Sequence, residues 1–150
     1  VLKKNLKNKN IIIKCISMDD IPGYLKNRKI KFDKIISSYA LYYAKNPIRV
    51  IRECSKFLKP KGKLICFEHN PYNPLTRHMV NTCEFDKDAI LLTITEVKRI
   101  FQKQNLDIVK SAYTLFVPPK LKKLNFIEPF FAWLPLGGQH YVVFKKRYIV

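Results

Sequence analysis

Acidic side chains are scarce in this sequence, with eleven aspartates and glutamates against twenty-nine lysines and arginines and a formal charge of +18. So large an excess invites a nucleic-acid or anionic-membrane partner. The lysines, however, are spread along the whole chain beside abundant asparagine and isoleucine, the mixture an AT-rich coding sequence produces. Arginine is sparse, and no RNP, zinc-finger or helix-turn-helix signature occurs, so no specific nucleic acid is expected as a partner. Glycine is rarer still at four residues, which excludes collagen-like and flexible low-complexity chains. The four cysteines, Cys15, Cys54, Cys66 and Cys83, form no C-x-x-C pair and read as reduced thiols of the core. His69, His78 and His140 lack the H-x-x-x-H spacing, so no metal site is expected. Long apolar runs are missing too: the most apolar stretch, 126–136, is broken by Glu128, Pro129 and Pro135. With no signal-peptide pattern in view, a cytoplasmic protein is expected.

What is present suits one globular domain. The 150 residues, 47% of them hydrophobic, can bury one core and are too few for two domains of ordinary size. Residues 11–16 form a β-branched run, a strand that ends before the turn-rich Asp19-Asp20-Ile21-Pro22-Gly23. Phe32 to Ser38 reads as a second, buried strand. Asn46-Pro47 then starts a helix, whose apolar face carries Ile48, Ile51, Cys54, Phe57 and Leu58 and which ends before Pro60. Lys59 to Lys63 reads as a turn and Leu64 to Phe67 as a third strand, apolar throughout and so buried on both faces. A short helix is expected around Leu75 to Asn81. Thr93 and Glu96 have the spacing of a capping box, and Asn105 suits a left-handed helix stop. Residues 106–117 and 139–147 read as strands, separated by an irregular helical insertion over 118–135.

Strand, helix and strand with tight connections predict an α/β fold on a mostly parallel sheet. In such sheets ligands bind beyond the carboxyl ends of the strands. Here those ends are Ser17 to Asp20, Ser37 to Tyr39 and Glu68 to Asn70.

Three stretches in this order carry a family likeness: Phe32-Asp33-Lys34-Ile35-Ile36, then Leu41-Tyr42-Tyr43, then Leu58-Lys59-Pro60-Lys61-Gly62-Lys63-Leu64-Ile65. They resemble the second half of the class I S-adenosylmethionine-dependent methyltransferase domain. A narrower likeness, to a bacterial subgroup acting on small molecules, runs through Glu68 to Arg77, Cys83 to Asp86 and Leu134 to Gly138. The resemblance implies a partial Rossmann-like methyltransferase fold with an antiparallel final strand. It also implies a single partial domain over 1–150, with insertions at about 71–92 and 118–135. The family's glycine-rich turn after its first strand, and the acidic residue closing its second, have no counterpart in this sequence. The chain is therefore expected to be the carboxyl-terminal portion of such a domain.

The same resemblance implies S-adenosylmethionine as cofactor, bordered by Ser17, Met18, Asp19, Ser37, Ser38 and Tyr39. Ser17 stands where the family usually has an acid. His69 directly follows a buried strand and is the candidate general base, with Glu68 the competing one. Each also has a structural alternative, His69 bonding the proline-rich loop and Glu68 capping it. Tyr72 and Arg77 are candidate substrate-binding residues, since an arginine fork suits a carboxylate or phosphate on the acceptor. The plain alternative for Arg77 is a solvated surface residue. His140 reads as structural. Phe126, Phe130, Phe131 and Trp133 either wall an acceptor pocket, make a peripheral membrane contact, or pack as a satellite core. The expected activity is methyl transfer to a small-molecule or lipid-linked acceptor. The alternatives are a non-catalytic remnant that binds no cofactor and, least favoured, a basic nucleic-acid-binding module.

Overall fold

A computed structural model describes residues 15–26, 28, 30–86 and 89–147 of the chain. Most of the strand expected over 11–16 lies outside the described residues. A 3-10 turn over Met18–Asp20 leads into the short helix α1, Ile21–Lys26. Strand β1, Phe32–Ser38, and helix α2, Pro47–Ser55, follow. Strand β2 spans Leu58–His69, helix α3 Pro74–Thr82 and helix α4 Ile94–Gln102. Strand β3 covers Leu106–Thr114. A 3-10 segment, Pro119–Ile127, then runs into α5, Glu128–Phe131, before strand β4, Gln139–Lys146, closes the order.

The sheet order is β1-β2-β4-β3. Strands β1 and β2 are parallel, and β4 runs antiparallel to both of its neighbours, so β1, β2 and β3 share one direction and the last strand opposes them. Three co-directional strands put their carboxyl ends at one edge of the sheet.

Local signals start and stop the helices where the residues predict. The Asn46 side chain accepts from the Arg49 amide at 2.9 Å ahead of Pro47. Thr93 and Glu96 close a reciprocal capping box, and Asn105 is left-handed at φ 56°. The apolar face of α2 differs from expectation: Val50 and Ile51 are buried while Ile48 is exposed. Phe57 lies beyond that helix and Leu58 opens β2. β2 also starts six residues before the expected Leu64, because the turn over Lys59 to Gly62 is a bulge inside it. The pairing jumps from Phe32↔Leu58 to Lys34↔Lys63, and Lys61 takes φ 63°. A Cβ on Gly62 would sit 2.9 Å from the Lys59 carbonyl oxygen, so the bulge needs glycine there.

Helices α2 and α4 cover one face of the sheet. Leu64 and Cys66 of β2, Val142 and Phe144 of β4 and Leu106 of β3 meet Ile51, Val97 and Phe101 there. Phe101 and Phe144 stack with ring centroids 4.2 Å apart. The second face is less enclosed than an unbroken apolar run predicts: Ile65 and Phe67 are half-buried, and Ile36 beside them on β1 is exposed. The half-buried Lys146 ammonium donates to the Ser55 and Leu58 carbonyls, tying β4 to the α2–β2 junction.

Candidate functional site

The carboxyl ends of β1 and β2 bring together the residues singled out in the sequence. Tyr39 leaves β1 with φ 50°, and its amide donates to the Phe67 carbonyl at 3.0 Å. An aromatic residue rarely holds a left-handed backbone. The consequence here is that its ring stacks on the His69 imidazole, with centroids 4.5 Å apart. Tyr42, from the 3-10 turn Leu41–Tyr43, approaches the same imidazole with centroids 5.8 Å apart.

Asp86 closes the far side. It accepts from the Tyr43 hydroxyl and, at 3.5 Å, from the Tyr42 hydroxyl. The Tyr43 bond holds its carboxyl below the ordinary value, and the charge of His69 adds to the effect. Burial lowers the His69 pKa, while the Asp86 carboxylate pulls it back up. Burial of the half-buried imidazole thus favours its neutral form, and the Asp86 carboxylate favours its charged form. Asp86, Tyr42 and Tyr43 were missed as site residues. The one signal for them was their place inside the quoted likeness.

Glu68 faces the opposite way. It is 1% exposed, and its Oε1 accepts from the Leu41 amide at 3.2 Å, so it anchors the turn that carries the tyrosines. Burial raises its pKa to about 7. Across the ladder stands His140, fully buried, with Tyr113 on the next strand, an aligned row on the core face. Burial depresses the His140 pKa to about 4. Neither His140 nitrogen nor Glu68 Oε2 has a hydrogen-bond partner among the described residues.

The proline-rich loop after β2 is fastened to the loop before β4. Asn70 donates to the carbonyls of Pro135 and Gly137 at 2.9 and 2.7 Å. Asn73 donates to that of Leu136, and the Thr76 hydroxyl to that of Gly138. Tyr72 and Arg77 are both exposed on this ledge, Arg77 on α3. His69 makes no hydrogen bond to that loop among those described, which leaves its nitrogens for a ligand.

For the cofactor-side residues, the Asp19 carboxylate lies 3.5 Å from the Lys45 amide, which brings the Met18–Asp20 turn beside the loop that leads into α2. Ser17 is exposed, and Ser38 is exposed at the end of β1. A cavity of about 560 Å³ runs along β1 between α1 and α2, with Ile21, Leu25, Ile35 and Ile51 among its apolar walls. Ser37 and Ser38 line it, and the Ser37 hydroxyl is buried without a partner among the described residues. Apolar walls and one buried hydroxyl fit the adenosyl part of a nucleoside-bearing cofactor.

Residues 2–116 match a protein family described as "Methyltransferase domain". Comparison with curated proteins returns no match. Among solved structures the chain is similar to a SAM-dependent methyltransferase from Thermotoga maritima, at 24% identity over 81% of this chain, with a TM-score of 0.64. It spans only 60% of that protein's length. It is similar also to a SAM-dependent methyltransferase from Archaeoglobus fulgidus, at 15% identity, 96% of this chain, 71% of that one and a TM-score of 0.65. The N-methyltransferase NodS from Bradyrhizobium japonicum, solved with S-adenosyl-L-homocysteine, is similar at 15% identity over 80% of this chain and 48% of its own, with a TM-score of 0.51. At these identities the likeness is one of fold.

Proposed function

Because the chain belongs to the methyltransferase-domain family, whose cofactor is S-adenosylmethionine, we propose that it supplies the acceptor side of a methyl-transfer centre, with His69 as general base. The observation that carries this is the half-buried imidazole at the carboxyl end of β2, stacked on Tyr39 and beside Tyr42, whose hydroxyl reaches Asp86. S-adenosylmethionine, when bound, supplies an electrophilic methyl group on a cationic sulfur. Ser37, Ser38, Tyr39 and Asp19, with Ser17 and Met18 beside them, would hold its adenosyl side along the β1 cavity.

His69 accepts the proton of an acceptor hydroxyl or amine at a ring nitrogen. Asp86 steadies the imidazolium that forms, and Tyr39 keeps the ring in plane. Glu68 is shut into the core, so its part is to position Leu41 and the tyrosine turn. Tyr72 and Arg77, on the ledge formed by insertion 71–92, flank the acceptor, a small molecule or a lipid-linked one. The second insertion, 118–135, belongs to the same single domain over 1–150, and the expected location is the cytoplasm. No helix among the described residues is long and apolar enough to cross a membrane.

In the full-length protein, His69→Ala lowers turnover, read as S-adenosylhomocysteine release, by roughly two to four orders of magnitude with cofactor affinity nearly unchanged. A variant that keeps full turnover, or loses cofactor binding in step with activity, makes the histidine structural. A wild-type protein that neither turns over nor binds cofactor is the non-catalytic remnant.

A further inference from the structure

The segment 118–136 carries an apolar face that the methyl-transfer reading leaves unused. Phe126 near the end of the 3-10 segment, Phe130 in α5 and Trp133 in the turn after it are 69%, 74% and 74% exposed. Leu121, Leu124 and Leu136 are exposed beside them. A loosely attached element would turn such residues inward, but this one is fastened with them outward. The Glu128 carboxylate accepts from the amides of Phe116 and Val117 and from the Thr114 hydroxyl. The Tyr113 amide donates to the Ala132 carbonyl at 2.8 Å, which pins the segment along the outer edge of β3. Asn70 and Asn73 clamp the carbonyls of Pro135 and Leu136 from the other side. The face therefore lies on an outer edge of the sheet, with three strands between it and β1.

Charge decides what it fits. Within 119–133 the sequence has Lys120, Lys122 and Lys123 against a single acid, Glu128. That acid is spent on internal hydrogen bonds, so the segment presents aromatics under a positive balance, on a chain of formal charge +18. Large aromatic rings on a segment of positive formal balance, too short to span a bilayer, suit the interface of an anionic membrane. There rings enter the headgroup boundary and ammonium groups meet lipid phosphates. A soluble protein partner would need no such charge bias. We infer that this face docks the protein on anionic lipid bilayers, with Phe126, Phe130 and Trp133 as the inserting residues.

Trp133 is the chain's one tryptophan, so its fluorescence reports on this face alone. Vesicles of phosphatidylglycerol and phosphatidylcholine are expected to shift its emission to the blue and to sediment the protein, and pure phosphatidylcholine vesicles to do neither. Phe126→Ser with Phe130→Ser, checked for folding by circular dichroism, leaves every lysine in place and is expected to weaken sedimentation roughly tenfold or more. As a second measurement, brominated lipids should quench Trp133 in the wild type. Sedimentation with no blue shift and no quenching would mean adsorption through dispersed lysines and would overturn the proposal, as would absence of binding. A blue shift that grows with protein concentration without vesicles would assign the face to a second copy and overturn it equally.

Discussion

Glu68 and His140 stand opposite each other in the β2–β4 ladder, both shut away from water and both uncharged between about pH 4 and 7. Their effects on stability have opposite signs. Glu68 has a folded pKa of about 7 against an ordinary 4.5. Its contribution is complete below pH 4.5 and lost as the pH rises to about 7. His140, at about 4 against an ordinary 6.5, contributes fully above pH 6.5 and loses that as the pH falls to about 4. In the wild type the two slopes, each up to about 1.4 kcal/mol per pH unit, cancel between pH 4.5 and 6.5. Glu68→Gln, which keeps an acceptor for the Leu41 amide, should expose the histidine slope, with stability falling on acidification. His140→Phe should expose the other, with stability falling toward neutrality. Urea midpoints across this window, compared with wild type, decide it, and parallel profiles in all three proteins would mean that neither group is buried uncharged. The sequence marked His69 because it directly follows an apolar run. It named Glu68 as a competing base and His140 as structural without setting them together, because strand neighbours point to opposite faces and the residues alone do not say which face is the core. Asp86 was hidden for a related reason, since only the folded chain sets it against a histidine far away in sequence.

At the scale of elements, the loop from Asn70 to Thr76 and the loop from Leu134 to Gly138 behave as one piece, and Gly137 is where they close on β3. A Cβ there would meet the Thr114 carbonyl oxygen at 2.5 Å and the Thr114 nitrogen at 2.9 Å, both backbone atoms of a paired strand that cannot swing aside. Gly137→Ala is expected to cost about 1–3 kcal/mol and to loosen the Asn70 anchor. Gly138→Ala, whose nearest contact is the Thr76 hydroxyl at 3.3 Å, should cost less. Thermal melts of the two variants would show it, and equal midpoints would refute the distinction. Helix ends were legible in advance, because Asn46, the Thr93 and Glu96 pair and Asn105 act on amides and torsions within four residues of themselves. The long first half of β2 was not. Its bulge at Lys59 to Gly62 exists only through pairing with Phe32 and Lys34, and read alone the same residues are a turn.

For the molecule as a whole, the proposal lays the adenosyl side of the cofactor along the β1 cavity, while a glycine-rich turn of the kind that lets a backbone approach its methionine end is not among these 150 residues. Calorimetric titration of the 150-residue chain with S-adenosylmethionine is therefore expected to give no saturation at micromolar concentration. A micromolar Kd would show that the cavity residues suffice. The sheet order carries a consequence for how the chain comes to be folded. Among the described strands, β4 is the last in sequence and the only one that joins β3 to the β1–β2 pair. While the chain emerges from the ribosome, β1 and β2 can pair as soon as both are out, but β3 has no ladder to join until Gln139–Lys146 follows it. Val97 and Phe101 of α4, which share the core with Val142 and Phe144, wait with it. The unpaired β3 and the bare face of α4 make that interval the one most exposed to aggregation or to capture by a chaperone, and its length is set by the twenty-odd residues between Thr114 and Gln139.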